Sequence, residues 1–322
     1  MENRHCAGDL KQMQSLPLSA KITMTKNRIR QWYDAFNGDV YVSFSGGKDS
    51  TVLLHIAREL YSDIEGVFCD TGLEYPEIRQ FVKTFENVTW IRPKMNFRQV
   101  IKEYGYPVAS KEVSKRIYEL RHHNLTEKYR NELLYGGNGK ERRKIPERWK
   151  PLLTAPFEVS SKCCDVMKKR PFHQYEKESG KKPIVATMAN ESSLRKSSWI
   201  RYGCNSFNAN KPQSRPMSFW TEQDVLEYLI TYNVPYCSVY GEIIKSGKEI
   251  ENLFGCKVQE LQTTGCERTG CMFCMYGCQT KGDRRFHLMK NTHPKQYEYC
   301  MKPWEEGGLG MDEVLNYINV EH

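Results

Sequence analysis

The chain has 322 residues, which is enough to bury a large core and permits one or two domains. Its formal net charge of +9 at pH 7 favours anionic ligands such as nucleotides or nucleic acid. No apolar run approaches the roughly 18 residues of a membrane helix, and the polar residues 1–16 lack the apolar core of a signal peptide. We therefore expect a cytoplasmic protein that does not enter a membrane.

Strand and helix signals alternate along the first two-thirds of the chain. Short β-branched and aromatic runs predict strands at 40–44, 65–70, 88–91 and 184–188. Helical patterns predict helices at 49–60, 76–85, 97–104 and 222–232, the last after a capping-box pattern. This order is typical of an α/β fold with a mostly parallel sheet flanked by helices. Ligands of such sheets bind beyond the carboxyl ends of the strands.

A phosphate-binding pattern, Ser45-Gly46-Gly47-Lys48-Asp49-Ser50, joins the first predicted strand to its helix. The glycines allow successive N–H groups to face one anion at a helix N-terminus. Lys48 offers a mobile cation, while Ser45 and Ser50 offer hydroxyl donors. The loop is not a Walker A loop, because Val42 stands where that motif has its first Gly. The alternative is a Gly-Gly turn that binds nothing.

The twelve cysteines favour metal or redox chemistry over a disulfide framework. Cys163 and Cys164 are adjacent, and a glycine-rich segment near the C-terminus holds Cys256, Cys266, Cys271, Cys274 and Cys278. The last four have a spacing that suits an iron–sulfur cluster or structural zinc. Unligated thiols are the remaining alternative.

Residues 122–150 interrupt the α/β pattern with a polar, basic stretch that includes Trp149. Basic groups beside an aromatic ring suit a nucleic-acid or other anionic contact. A solvated insertion loop explains the same composition equally well.

Four segments in the same order resemble the phosphoadenylylsulfate-reductase family of the ATP-pyrophosphatase (PP-loop) superfamily. They are the Ser45–Ser50 loop, Asp70-Thr71-Gly72, Glu191-Ser192-Ser193-Leu194-Arg195, and the stretch from Pro216 to Val225. The resemblance spans residues 40–240 and implies a Rossmann-like (HUP-type) sheet. It also implies three sequence regions: a helical segment at 1–38, a nucleotide-binding domain at 39–240, and a cysteine-rich, metal-binding region at 241–322.

The resemblance also implies a site. ATP or a sulfonucleotide would contact the glycine loop, Asp70, Thr71, Gly72, Glu191 and Arg195. The guanidinium of Arg195 would form a bidentate contact with phosphate or sulfate. Asp49 and Asp70 are candidate ligands for Mg²⁺. Cys163, Cys164, Cys271 and Cys274 would hold a [4Fe–4S] cluster, as in the iron–sulfur members, although adjacent cysteines converge only at a distorted backbone or a helix start.

Three functions follow. In the first, the protein uses ATP to adenylate an acceptor, for which nucleic acid is a candidate, and then transfers sulfur to it. Lys48, Asp49 and Asp70 would be its catalytic residues. In the second, it reduces adenylylsulfate or phosphoadenylylsulfate. The chain ends without the family's Glu-Cys-Gly-x-His tail, so Cys300 or a thiol supplied in trans would attack. In the third, it senses nucleotides without turnover. A sulfur- or electron-donor protein is an expected partner of either enzyme.

Overall fold

A mixed sheet with mostly parallel strands organises the first part of the protein. The computed structural model describes residues 5–137, 139, 141–251 and 257–322. The strands are β1 (Val40–Ser43), β2 (Glu65–Cys69), β3 (Val88–Ile91), β4 (Val108–Ala109), β5 (Lys182–Val185), β6 (Asn205–Ser206), β7 (Gln213–Ser214), β8 (Ile243–Glu251), β9 (Lys257–Thr263) and β10 (Met275–Tyr276).

The α-helices among these residues alternate with the strands over residues 40–122 and less regularly elsewhere. They are α1 (Ala7–Gln14), α2 (Leu18–Ala35), α3 (Lys48–Leu60), α4 (Pro76–Lys83), α5 (Phe97–Tyr104), α6 (Lys111–His122), α7 (Glu127–Tyr135), α8 (Arg170–Ser179), α9 (Ser193–Tyr202), α10 (Glu222–Thr231), α11 (Arg285–Thr292), α12 (Pro294–Met301) and α13 (Met311–Tyr317). None of the helices in the described ranges is long and apolar enough to cross a bilayer.

The main sheet has the strand order β3-β2-β1-β5-β7-β6. Its pairs are parallel except for the antiparallel pair of β6 and β7. In the central register, Val42 lies between Gly66 and Ile184. These three positions are buried, as expected where helices cover both faces of a parallel sheet. The predicted α/β fold is confirmed.

The chain divides into two compact units, and each joins segments that are distant in sequence. The first contains Met1–Asp70, Glu74–Arg92 and Phe172–Thr269, and the second contains Thr71–Leu73, Pro93–Pro171 and Gly270–His322. The main sheet belongs to the first unit. In the second unit, β4 and β10 form a short parallel pair. The three sequence regions named above stay a prediction.

A buried ion pair fixes α2 against α10 within the first unit. The Lys21 ammonium lies 2.7 Å from both carboxylate oxygens of Asp224, and only 2% of the surface of Lys21 is exposed. Asp224 also accepts from the N–H of Thr221, so the predicted capping box is present. Burial is tolerated here because each charge is paired and hydrogen-bonded.

Two predicted elements end two or more residues earlier in the structure than expected, whereas the others differ by at most one residue at an end. The strand expected at 184–188 ends at Val185, because Met188 donates its N–H to Glu191 at the start of a 3₁₀ turn. The helix expected at 76–85 ends at Lys83, where Thr84 donates its hydroxyl to a backbone carbonyl of the last turn. Both differences lie at element ends, where side-chain hydrogen bonds compete with the backbone pattern.

Candidate functional site

Hydroxyl groups occupy the backbone donors of the glycine loop. Ser45 donates its N–H to the hydroxyl of Ser50, Gly47 donates to the hydroxyl of Ser45, and Lys48 donates to the hydroxyl of Tyr240. The two serine hydroxyls lie 3.0 Å apart. Successive amides of the loop therefore point at oxygen atoms, the arrangement that also suits phosphate oxygens at a helix N-terminus.

Only glycine fits at position 46. Its φ is +71°, and a Cβ there would lie 2.7 Å from a methyl carbon of Val82 and 2.9 Å from one of Ile78. Both methyl groups come from α4, so the loop is packed directly against that helix. The predicted need for a tight turn at Gly46 has a steric cause as well as a conformational one.

Lys48 is not the mobile cation that the sequence predicted. Its side chain is 4% exposed, and its Nζ lies 2.7 Å from the carbonyl oxygen of Glu267 and 3.0 Å from a carboxylate oxygen of Glu222. The Nζ also lies 5.2 Å from the ring centre of Tyr240. These partners hold Lys48 because a buried ammonium must be paired.

Asp49 follows Lys48 and combines burial with nearby positive charge. Burial raises the pKa of Asp49, while Lys48, Arg268 and Arg195 act in the opposite direction. Its Oδ1 is shielded from solvent and has no hydrogen-bond partner among the described residues. Such an oxygen is suited to a cation or to a proton donor on a ligand.

Three arginines from one unit form a group of neighbouring like charges: Arg195, Arg215 and Arg268. Burial and the charge of Arg268 lower the pKa of Arg195, and burial and the charge of Arg195 lower the pKa of Arg215. Glu191 partly compensates them, because one of its carboxylate oxygens binds Arg195 and the other lies 3.9 Å from Arg268. An anion bound here would relieve the remaining repulsion.

Asp70 directly follows β2 and is paired with two arginines. Its Oδ2 lies 2.9 Å from Arg79 and 3.2 Å from Arg92, while the buried Oδ1 has no hydrogen-bond partner among the described residues. The following residues, Thr71 and Gly72, belong to the second compact unit. There the hydroxyl of Thr71 accepts from the N–H of Leu73, and Gly72 adopts a φ of +75°.

The four cysteines assigned to a cluster are neighbours in the second unit. Burial raises the pKa of Cys163, and the nearby thiols of Cys164, Cys271 and Cys274 raise it further. No three or more His, Cys, Asp or Glu side chains in the described ranges converge on a position for a single metal ion. A cube binds one thiolate on each of four irons, so its ligands need not converge on one ion.

The backbone at the adjacent cysteines has the distortion that the sequence required. Cys163 and Cys164 begin a helical stretch that continues as a π-helix over Asp165–Lys169. Lys162 caps this start by accepting the N–H groups of Asp165 and Val166 with its carbonyl oxygen. A π-turn changes the direction of the side chains before it, and such turns are frequent at functional sites.

The Cys-x-x-Cys segment is tied down by backbone bonds and by Arg285. The N–H of Met272 donates to the carbonyl oxygen of Leu73, and Arg285 donates to the carbonyl oxygens of Cys274 and Tyr276. The turn is therefore held from both sides, independently of its thiols.

Within the alternative ligand set of Cys266, Cys271, Cys274 and Cys278, the first and the last cysteine have different contacts. The pKa of Cys266 is raised by burial, lowered by a hydrogen bond with Tyr75, and raised by the charge of Glu77. Cys278 is coupled to Cys274, and its thiol donates to the carbonyl oxygen of Met275. Cys256 lies outside the described residues.

Cys300 is a core residue and not an accessible nucleophile. It is 0% exposed, burial alone raises its pKa, and its sulfur lies 3.1 Å from the sulfur of Met311. An attacking cysteine needs solvent access and a stabilised thiolate. The burial of Cys300 weighs against the catalytic role expected for it, which stays a prediction.

The basic stretch offers less to nucleic acid than its composition predicted. Trp149 is 5% exposed, so its ring is not available for stacking on a base, and Arg148 lies over that ring instead. Lys144 and Lys150 both pair with Glu147. Asn138 and Lys140 lie outside the described residues.

Sequence reasoning missed several residues that complete the loop region, namely Arg215, Tyr240, Arg268 and Thr269. The hydroxyl of Tyr240 lies 2.7 Å from that of Thr269, and both hydroxyls lie within 3.2 Å of the position that a Cβ on Gly47 would take. Arg215 directly precedes the recognised Pro216 segment, a signal that was available. The other three are brought to the loop only by folding.

A mostly parallel α/β sheet with a glycine loop at the end of β1 defines a class of nucleotide-binding proteins. The family model of the phosphoadenosine phosphosulfate reductase domain matches residues 39–137 and 114–276. The chain belongs to this family.

Two curated relatives come from Methanocaldococcus jannaschii. The uncharacterized protein MJ0066 is 42% identical over 84 residues, which cover 24% of this chain and 18% of that protein. The uncharacterized protein MJ0973 is 36% identical over 87 residues, which cover 24% of this chain and 21% of that protein. The chain thus spans about a fifth of the length of these relatives.

Among solved structures, a phosphoadenylyl-sulfate (PAPS) reductase from Candida auris, in a phosphate complex, matches with a TM-score of 0.39 and 13% identity. The match covers 70% of this chain and 90% of that chain.

Proposed function

We propose that the protein binds ATP at the glycine loop, adenylates an acceptor with release of pyrophosphate, and replaces the adenylate by sulfur. Its family is one of enzymes of sulfur metabolism. The observation that carries the choice over a reductase that attacks through Cys300 is the full burial of that thiol against Met311. The glycine loop, in contrast, has its donors in place.

The loop residues would bind the pyrophosphate portion of ATP. Phosphate oxygens would take the places of the hydroxyls on the amides of Gly47 and Lys48, and the Lys48 ammonium would exchange Glu222 for phosphate. These donors stabilise the negative charge that develops on pyrophosphate as the acceptor oxygen attacks the α-phosphorus. The P–O bond to pyrophosphate breaks in the same step, and the acceptor becomes an adenylate ester.

Arg195, Arg215 and Arg268 support the same step from the side of the α-phosphate. Their mutual repulsion favours an anion among them, and Glu191 keeps the guanidinium of Arg195 in position. A planar guanidinium can bind two phosphate oxygens at once, which a lysine cannot.

Mg²⁺ fits the two carboxylates that the sequence offered. Asp49 and Asp70 each have a buried oxygen without a hydrogen-bond partner among the described residues, and Mg²⁺ prefers oxygen ligands. We assign these oxygens as its ligands when ATP is bound.

A [4Fe–4S] cluster fits the four coupled thiols of Cys163, Cys164, Cys271 and Cys274. When bound, it would supply sulfide-level sulfur or electrons. Sulfur at the sulfide level would form a bond to the acceptor carbon, and the bond from that carbon to oxygen would break. AMP leaves with the former acceptor oxygen, so the replacement of oxygen by sulfur requires no net oxidant. Burial raises the pKa of Cys163 and of Cys274, and the charges of Lys168 and Lys111, respectively, oppose that rise, in the direction of the thiolate forms that ligate iron.

Nucleic acid is the acceptor class that we propose. The net charge of +9 favours a polyanion. The proposal also places the protein in the cytoplasm and assigns it a sulfur- or electron-donor protein as partner.

The test is an assay of the reconstituted protein with ATP, adenylylsulfate and phosphoadenylylsulfate in turn. We expect pyrophosphate from ATP, increased by single-stranded RNA or DNA, and its loss in Lys48→Met. Sulfite from either sulfonucleotide, in the presence of a reductant, would overturn the proposal in favour of a reductase. Tight nucleotide binding with no product would favour a sensor.

A further inference from the structure

A cavity in the second unit lies beside the Cys-x-x-Cys turn and has an aromatic lining. Its volume is about 490 Å³, within the range of small-molecule sites. Phe97, Phe273, Tyr299 and Trp304 contribute rings to the wall. Phe273 stands between Cys271 and Cys274 in sequence, so the wall is continuous with the segment that carries two of the candidate cluster ligands.

Two cations, Arg98 and Lys102, line the same cavity, and none of the described residues that line it carries a carboxylate side chain. Arg98 lies with its guanidinium carbon 4.3 Å from the ring centre of Trp304, and it donates to the carbonyl oxygens of Trp304 and Gly308. Lys102 is exposed on α5, and among the described residues neither Arg98 nor Lys102 forms an ion pair with a carboxylate. The cavity thus joins aromatic faces to uncompensated positive charge.

We propose that this cavity binds one unstacked base of a single-stranded nucleic acid, with the adjoining phosphate against Lys102. This inference rests on the proposed function, because it supplies the position of the acceptor. A base stacks on aromatic side chains whatever its sequence, and the phosphate of the same nucleotide meets a cation. A free peptide or an apolar ligand would leave Lys102 and Arg98 without a counter-charge.

Phe273 connects the cavity to the segment that holds the candidate cluster ligands Cys271 and Cys274. Thr71, Gly72 and Leu73 also line the cavity, and the carbonyl oxygen of Leu73 accepts from Met272 inside the Cys-x-x-Cys turn. A base held here lies against the segment that holds Cys271 and Cys274. The cavity is accordingly the acceptor subsite.

Binding of a fluorescein-labelled, eight-residue oligoadenylate to the full chain tests this proposal. We expect Tyr299→Leu to weaken binding about 5- to 150-fold, the range for loss of one stacked base. Lys102→Ala should lower the slope of log K against log salt by about one, as for one lost phosphate contact. The matched controls are Tyr232→Leu and Lys128→Ala. Tyr232 is 45% exposed against 41% for Tyr299, and Lys128 is also exposed.

Several results would overturn the proposal. They are no binding at all, equal losses in the control variants, equal competition by free AMP, or weaker ATP binding in Tyr299→Leu with unchanged oligonucleotide binding. If Tyr299→Leu does not fold, the salt slope of Lys102→Ala decides. Pyrophosphate release is measured separately, so cavity-dependent oligonucleotide binding without ATP turnover would contradict the proposed function alone.

Discussion

The glycine loop and the cysteine set satisfy their polar groups in different ways. In the loop, six consecutive residues supply both the N–H donors and most of the hydroxyls that accept from them, and Tyr240 completes the set. The cysteines come from two segments more than 100 residues apart, and burial, followed by the charges of the three neighbouring thiols, raises the pKa of Cys163. The loop is complete without a ligand, whereas the thiols need positive charge to become thiolates.

This difference predicts where ligand removal matters. A loop in which the amides of Ser45, Gly47 and Lys48 already bind hydroxyls loses little order when the nucleotide leaves, because these three donors keep partners. A buried group of thiolates without metal carries an uncompensated cost, so metal binding and folding are coupled in that region. The following variants test the two halves of the comparison, beginning with the largest expected effect.

Cys271→Ser should remove the metal from the protein. Iron content should fall from about four per chain to near zero, because a cube needs one thiolate per iron, and the visible absorption should disappear. Iron and zinc analysis after anaerobic purification measures the effect. Cys266→Ser is the matched control and should keep its metal, because its thiol contacts Tyr75. Iron retained in Cys271→Ser, or a zinc-loaded and iron-free wild type, would contradict the cluster assignment.

Gly46→Ala should destabilise the first unit. The new methyl group meets Val82 and Ile78, and such overpacking costs about 1–3 kcal/mol in addition to about 1–2 kcal/mol for a non-glycine residue at positive φ. Gly180→Ala isolates the conformational part, since Gly180 has a φ of +76° and open space around it. Urea unfolding of the two variants measures the difference. Equal losses would show that α4 does not press on the loop.

Lys48→Met should weaken ATP binding about 10- to 100-fold, the worth of a hydrogen bond to a charged group. Lys26→Met is the control, because Lys26 pairs with Glu59 at the surface and contributes little. Isothermal titration with a non-hydrolysable ATP analogue measures both variants. Unchanged affinity in Lys48→Met would mean that the ammonium stays with Glu222 when the nucleotide binds.

The loop was predictable from the sequence because its determinants are contiguous. The order of strand, glycines and helix fixes Gly46, Ser45 and Ser50 by local geometry alone. The ends of the elements were less predictable. Strand β5 ends at Val185 because the N–H of Met188 donates to the carboxylate of Glu191 instead of continuing the strand.

Other parts depended on tertiary burial, which composition does not report. Cys300 and Trp149 have the residue types of a nucleophile and a stacking platform, but both are enclosed by the core. Lys48 has the type of a mobile cation, but Glu222 and Glu267 hold it. For the adjacent cysteines, in contrast, a structural feature was correctly predicted. Two adjacent thiols can converge on one cluster only at a helix start or a distorted backbone, and a helical stretch begins at Cys163 and continues as a π-helix.

Tyr240→Phe should have the smallest effect and tests whether the loop is complete without a ligand. The variant removes the hydroxyl that accepts the N–H of Lys48 at 3.1 Å, so unfolding should become easier by about 1 kcal/mol. The vacated amide is then free for phosphate, and ATP should bind up to about fivefold more tightly, since no hydroxyl has to be displaced. Tyr228→Phe is the control, because it also removes the hydroxyl of a buried tyrosine. That hydroxyl contacts His55, which lies outside the glycine loop. Weaker ATP binding in Tyr240→Phe would show that this hydroxyl contacts the nucleotide instead of standing in for it.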